Sequence, residues 1–161
     1  MIARTVLIGF LVLFQNFLYS QESRINREDF YKAISSDKIE LVNRQQEIAK
    51  SAGAPAFEGA LLMKKAGLVN KASDKLSLFK SGHKLLDKAI ENDEGNAELR
   101  FLRLMVQEHA PGILNYNDDI EEDSLLIKKR FNELNAEVKK VVLQYSKTSK
   151  VLKPSDFTEH E

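Results

Sequence analysis

The chain has 161 residues, no cysteine, and 24 basic residues balanced by 24 acidic ones. Without cysteine there is no thiol nucleophile, thiolate metal site or disulfide, and a near-neutral charge leaves no electrostatic footprint for nucleic acid. Lysine, leucine, glutamate and alanine are abundant, while seven glycines, three prolines and no tryptophan favour helix over sheet.

Arg4 is the only charge before Glu22, and an apolar run from Thr5 to Leu18 follows it. A short basic start, an apolar stretch and a small residue at Ser20 describe a secretory signal peptide over residues 1–20. A membrane-spanning helix needs roughly 20 apolar residues, and Gln15 and Asn16 interrupt this shorter run. The expectation is cleavage near Ser20 and a periplasmic or extracellular protein without stable membrane insertion. Retention of residues 1–20 as an anchor is the alternative. Cleavage removes Arg4 and no acid, leaving 23 basic and 24 acidic residues. The remaining chain fits a single helical domain over 21–153, followed by a polar tail, 154–161, expected to be disordered.

Apolar residues recur with a helical period throughout the mature chain, and no alternating strand pattern is evident. Asn26 opens the first helix, with Asp29 three residues on, and carries Phe30, Tyr31, Ala33 and Ile34 inward. Ser35-Ser36-Asp37 interrupts it. Asp37 is placed to cap a second helix bearing Ile39, Val42 and Ala49 on one stripe, with Leu41, Ile48 and Ala52 beside it, and Gly53 ends that helix. Pro55 suits the first turn of a third, which runs to about Lys71. Its small residues Gly59, Ala60, Ala66 and Gly67 invite close approach by another backbone. A fourth helix begins at Ser73 or Asp74 and aligns Leu76, Phe79, Gly82, Leu86 and Ala89. Asn96 caps a fifth that holds Leu99, Leu102, Met105 and Val106 and stops at Pro111-Gly112.

An irregular loop, 113–117, then leads to the acids at 118, 119 and 121–123. Beyond it, apolar residues at 127, 131, 134, 138, 141 and 145 repeat in a strict 4-3-4-3-4 pattern. One continuous helix of about 27 residues would reach roughly 40 Å, too long for this domain. The weak helix formers Asn132 and Asn135 predict two shorter helices joined near Asn135. The fold class is therefore all-α: six to seven helices in antiparallel hairpins.

Residues 82–98, with Gly82 at a small position, Leu86 at a bulky one, Ala89 seven residues after the glycine, and Asp93 and Asn96 in the turn, resemble the second helix and exit turn of a tetratricopeptide repeat. Glu94 stands where that family usually has proline, and no second copy appears at the 34-residue period. The chain is also similar to small exported all-helical bacterial proteins of uncharacterised function. These resemblances imply a stack of helical hairpins and a partner-binding role.

Asn115, Asn117, Asp119 and Glu121 alternate in the manner of a calcium loop. Ile120 and Leu126 hold the sixth and twelfth places, where glycine and glutamate are required. The acids of 118–123 instead suit the positive end of a helix. Ser35-Ser36-Asp37-Lys38 and Ser81-Gly82-His83-Lys84 fit a serine-hydrolase S-x-x-K pattern but lack its companion elements. His83, His109 and His160 lack metal-ligand spacing, and no catalytic, cofactor or metal residue is assigned. Lys128 to Lys153 holds eight basic against two acidic residues, which complement helix C-termini or an anionic lipid surface.

The candidate contacts for a partner or anion are Arg100 and Arg103 with Asn115, Tyr116 and Asn117 in the loop that follows. The competing role for the arginines is to pair with the acids at 118–123 and pin that loop. The leading expectation is an exported, non-enzymatic interaction or scaffold protein with a groove between helices 56–71 and 96–108. The alternatives are a metal- or anion-dependent helical enzyme or ligand carrier using 118–123, and a membrane-anchored accessory factor.

Overall fold

A computed structural model describes residues 25–158 of the chain. The expected signal peptide over 1–20 lies outside the described residues, as do 159–161. Among the described residues there are seven α-helices and no strand, in the order α1 (Arg27–Ile34), α2 (Ile39–Ser51), α3 (Pro55–Leu68), α4 (Ala72–Asn92), α5 (Ala97–His109), α6 (Ile120–Arg130) and α7 (Ala136–Tyr145). Short 3-10 turns occupy Gly112–Leu114, Phe131–Glu133 and Pro154–Phe157. The all-α expectation holds.

Three of these helices start on an asparagine whose side-chain oxygen accepts orphan backbone N–H groups, the preferred chemistry at that position. Asn26 accepts from Asp29 N at 2.9 Å, Asn96 from Glu98 N and Leu99 N at 3.1 and 3.2 Å, and Asn135 from Val138 N at 2.8 Å. Asn135 thus starts α7 where the long 4-3-4-3-4 run was expected to break. Asp37 does not cap α2. Lys38 is the cap residue without a side-chain bond, and Asp37 pairs with Lys64 at 3.1 Å instead. Gly53 ends α2 with φ 68°, a conformation that needs no Cβ.

The α3–α4 hairpin is the most extensive helix pair in the fold. A Cβ on Gly59 would stand 2.6 Å from the Gly82 carbonyl oxygen, and one on Gly82 would stand 2.8 Å from Met63 Cγ. Only bare backbone fits that crossing. Gly67 faces open space, with nothing within 4 Å of its would-be Cβ, so the expected close-approach stripe ends before it. Leu76, expected on the inner stripe of α4, is exposed, and so is Ile48 on α2.

Helix α5 runs through the middle. Phe101, Leu102 and Leu104 are fully buried, and the polar residues Glu98, Arg100, Arg103, Gln107 and Glu108 are nearly so. Phe30, Phe57, Leu61, Leu86, Ile127, Val138 and Leu152 complete the core around it. The small-residue face of α3 packs under α4 while α5 is enclosed on nearly all sides. The faces expected to line an open groove between 56–71 and 96–108 are therefore interior.

Residues 154–158 pack against the rest of the domain. Phe157 lies against Phe131 with ring centroids 4.5 Å apart, and Asp156 pairs with Lys128 at 3.1 Å. The tail expected to be disordered from 154 is docked over 154–158, because an aromatic residue and a charge both find partners there.

Candidate functional site

A polar group buried on a helix as central as α5 is costly unless it is bonded, and each of its five buried polar side chains binds a neighbouring segment. At its start, Arg27 of α1 holds Glu98 with two bonds of 2.8 Å, and the Tyr31 hydroxyl donates to Glu98 Oε1 at 3.2 Å. One turn on, Arg103 donates from Nε and Nη2 to the two oxygens of Asp123, both at 2.8 Å, and Arg100 Nη1 joins at 3.0 Å. Asp123 is 0% exposed. Burial alone pushes the Asp123 carboxyl above the ordinary carboxylate value, and the two guanidiniums act against that push.

Two more acids of the 118–123 cluster, Asp119 and Glu122, meet the same helix. Arg100 Nη1 also meets Glu122 at 3.1 Å, and Arg103 Nη1 meets Asp119 at 3.3 Å. Gln107 Nε2 donates to Asp119 Oδ2 at 3.0 Å. Arg100 and Arg103, two of the five candidate contacts, are thus engaged internally in the pinning arrangement. At the end of α5, Glu108 accepts from the Tyr145 hydroxyl at 2.6 Å, Ser149 Oγ at 2.9 Å and Lys150 N at 2.6 Å, which fixes the chain after α7.

The loop candidates divide. Asn115 adopts a left-handed conformation, φ 46°, after the 3-10 turn, a role asparagine fills better than most residues. Tyr116 is buried edge-on between Phe79 and His83, with ring centroids 5.4 and 4.5 Å away, and its hydroxyl donates to Asp87 Oδ1 at 3.3 Å. His83 Nε2 pairs with the other Asp87 oxygen. Desolvation raises the Asp87 carboxyl above its ordinary value, opposed first by the neighbouring His83 charge. Burial and the Asp87 carboxylate push the Tyr116 hydroxyl upward, so it stays a neutral donor. Tyr116 and the exposed Asn117 line one small cavity. His109 donates from Nδ1 to the Met105 carbonyl at 2.8 Å.

A larger depression lies elsewhere. A groove of about 730 Å³ is bounded by the starts of α1, α5 and α7, all three of the Asn-capped helices, and by the turn that joins α4 to α5. Ile25 and Leu134 give it an apolar floor, while Arg130 reaches across to donate to the Gly95 carbonyl at 3.0 Å. Each contributing helix opens with the same triplet, Asn-x-Glu, at 26–28, 96–98 and 135–137. Those triplets are visible in the sequence, but only the fold brings them together.

Among known proteins, no family, no curated protein and no solved structure matches this chain.

Proposed function

We propose that the protein is an exported, non-enzymatic interaction protein that holds a basic segment of a protein partner in the groove at the starts of α1, α5 and α7. The observation that carries this reading is the groove, whose volume falls within the range typical of binding clefts. Its lining includes five carboxylates (Glu28, Asp93, Glu98, Glu133 and Glu137) and two guanidiniums (Arg27 and Arg130), five minus two giving a formal excess of three negative charges. The three helix starts offset roughly half of that, at about half a positive charge each. The balance stays negative, and a lysine- or arginine-bearing segment complements it.

The apolar and signal-like character of residues 1–20 supports export. The partial tetratricopeptide resemblance of 82–98 supports a binding role, with Gly82 and Leu86 at interior positions of α4. The metal- or anion-dependent alternative gains less, because Asp119, Glu122 and Asp123 are already neutralised by arginines of the same chain. The membrane-anchored alternative rests on residues outside those described.

The test is capture of partners from the native cells by cross-linking, with wild type beside the double variant Glu28→Lys/Glu137→Lys. Both residues are exposed first-turn positions, so their reversal costs the fold only about 0.3–1 kcal/mol each. A partner lost on that reversal and retained by the distant reversal Glu47→Lys supports the reading. A partner insensitive to both contradicts the groove.

A further inference from the structure

The turn between α4 and α5 seats a guanidinium inside the groove. Arg130, the last residue of α6, donates from Nη1 to the Gly95 carbonyl at 3.0 Å and meets Glu133 at 3.5 Å. Its fork lies against Gly95: a Cβ built there would stand 2.8 Å from Nη1, 3.2 Å from Cζ and 3.4 Å from Nη2. Only a residue without a Cβ leaves that room. A planar fork brings several atoms onto such a surface, whereas a lysine ammonium is one compact charge. Asp93, Gly95, Arg130 and Glu133 all line the groove, so the seat belongs to it. Arg130 is loosely held there. Its side chain is 43% exposed and that of Glu133 66%, and an ion pair between exposed side chains adds little. The bond to Gly95 is the only hydrogen bond its guanidinium makes among the described residues.

We propose that Arg130 is an internal occupant of the groove, sitting where an arginine of the partner segment sits when that segment binds. This rests on the reading of the groove as the dock for a basic segment, which it narrows to an arginine-bearing one. The incoming guanidinium takes over the Gly95 carbonyl and the Glu133 carboxylate, and Arg130 swings out into solvent. At the seat itself one guanidinium replaces another, so the exchange there is close to balanced. The remaining acids of the groove, and the rest of the segment, decide the outcome.

The test is an NMR titration of the ¹⁵N-labelled protein with two capped pentapeptides, glycines flanking a central arginine or a central lysine. The arginine peptide is expected to give saturable shifts at the backbone amides of 93–97 and at Arg130 Nε, and to bind at least about threefold more tightly than the lysine peptide. Arg130→Gln is expected to tighten the arginine peptide about threefold. The lysine peptide gains less, because relief of charge repulsion helps both peptides while an emptied seat helps only a guanidinium. A Cβ at Gly95 displaces the end of a flexible side chain and no backbone, so Gly95→Ala keeps the fold. Added to Arg130→Gln, it is expected to bring the arginine peptide down to the level of the lysine peptide. No saturable binding of the arginine peptide to the Arg130→Gln protein, equal gains for the two peptides, or an arginine preference that survives Gly95→Ala would each overturn the proposal. In that event a partner still lost on Glu28→Lys/Glu137→Lys leaves the groove standing, whereas a partner insensitive to that reversal strikes the groove and the role of Arg130 with it.

Discussion

Replacing Asp123 by alanine removes the acceptor that holds two buried guanidiniums and separates a structural role for Arg100 and Arg103 from a ligand-gripping one. The side chains of Arg100 and Arg103 are almost as buried as Asp123 itself, and truncating one partner of such a cluster costs about 3–5 kcal/mol because the other charge stays buried. Here the loss falls at the lower end. Arg100 keeps Glu122 and the Glu94 carbonyl, and Arg103 keeps Asp119. The expected cost is about 3 kcal/mol. With roughly 2.1 cal/mol/K of unfolding entropy per residue and about 140 residues, that is a fall in Tm of about 10 °C. Urea denaturation followed by circular dichroism measures it directly. Replacing the cluster as a whole, Asp123→Leu with Arg100→Leu and Arg103→Met, is expected to recover most of the loss, because no buried charge then remains unpaired. A cost below about 1 kcal/mol for Asp123→Ala would refute the reasoning, since that is the value of an exposed pair. The arginines would then be available to a ligand.

Gly82→Ala gains about 1 kcal/mol of helix propensity but drives a methyl group into the backbone of α3, at a cost of about 1–3 kcal/mol. The net expectation in urea denaturation is destabilisation, and a more stable variant would contradict the crossing. Glu108→Ala removes the acceptor for Tyr145, Ser149 and the Lys150 amide, and is expected to cost about 3 kcal/mol. Hydrogen exchange should show residues 146–153 losing protection first, and uniform loss across the fold would contradict a local latch. The Asp87 carboxyl is expected to titrate above 3.8, and higher still in His83→Gln, which removes the largest lowering influence. Its raised value means the native state binds the proton more tightly than the unfolded chain. Stability from this group therefore falls as pH rises from 3.8 through the native midpoint. An unchanged or lowered midpoint by NMR would show that His83 does not act on it.

What the sequence made legible was local. The first helix, the Gly53 stop, the Asn96 cap and the break at Asn135 follow from single residues acting on their own backbone within a turn. Half of the α3 glycine stripe was legible in the same way. That Gly59 and not Gly67 meets a partner depends on where α4 crosses, which no local pattern records. Arg100 and Arg103 read either as partner contacts or as pins for the acids at 118–123, because periodicity alone does not say which acid meets them. They are buried because α6 brings Asp123 to them across twenty residues or more of chain. Asp37 lost its capping role to a longer-range attraction, Lys64. The groove was illegible for a related reason: the Asn-x-Glu starts at 26–28, 96–98 and 135–137 are up to 109 residues apart (137 minus 28), and only tertiary packing makes them neighbours.

The central claim is that the groove at these three helix starts holds a basic segment of a partner. The most direct measurement is the affinity of the partner captured from native cells for purified wild type and for Glu28→Lys/Glu137→Lys, at low and high salt. The account predicts at least about tenfold weaker binding by the variant, and wild-type binding that weakens as salt screens the groove. Equal affinities for the two proteins, with no dependence on salt, would contradict it.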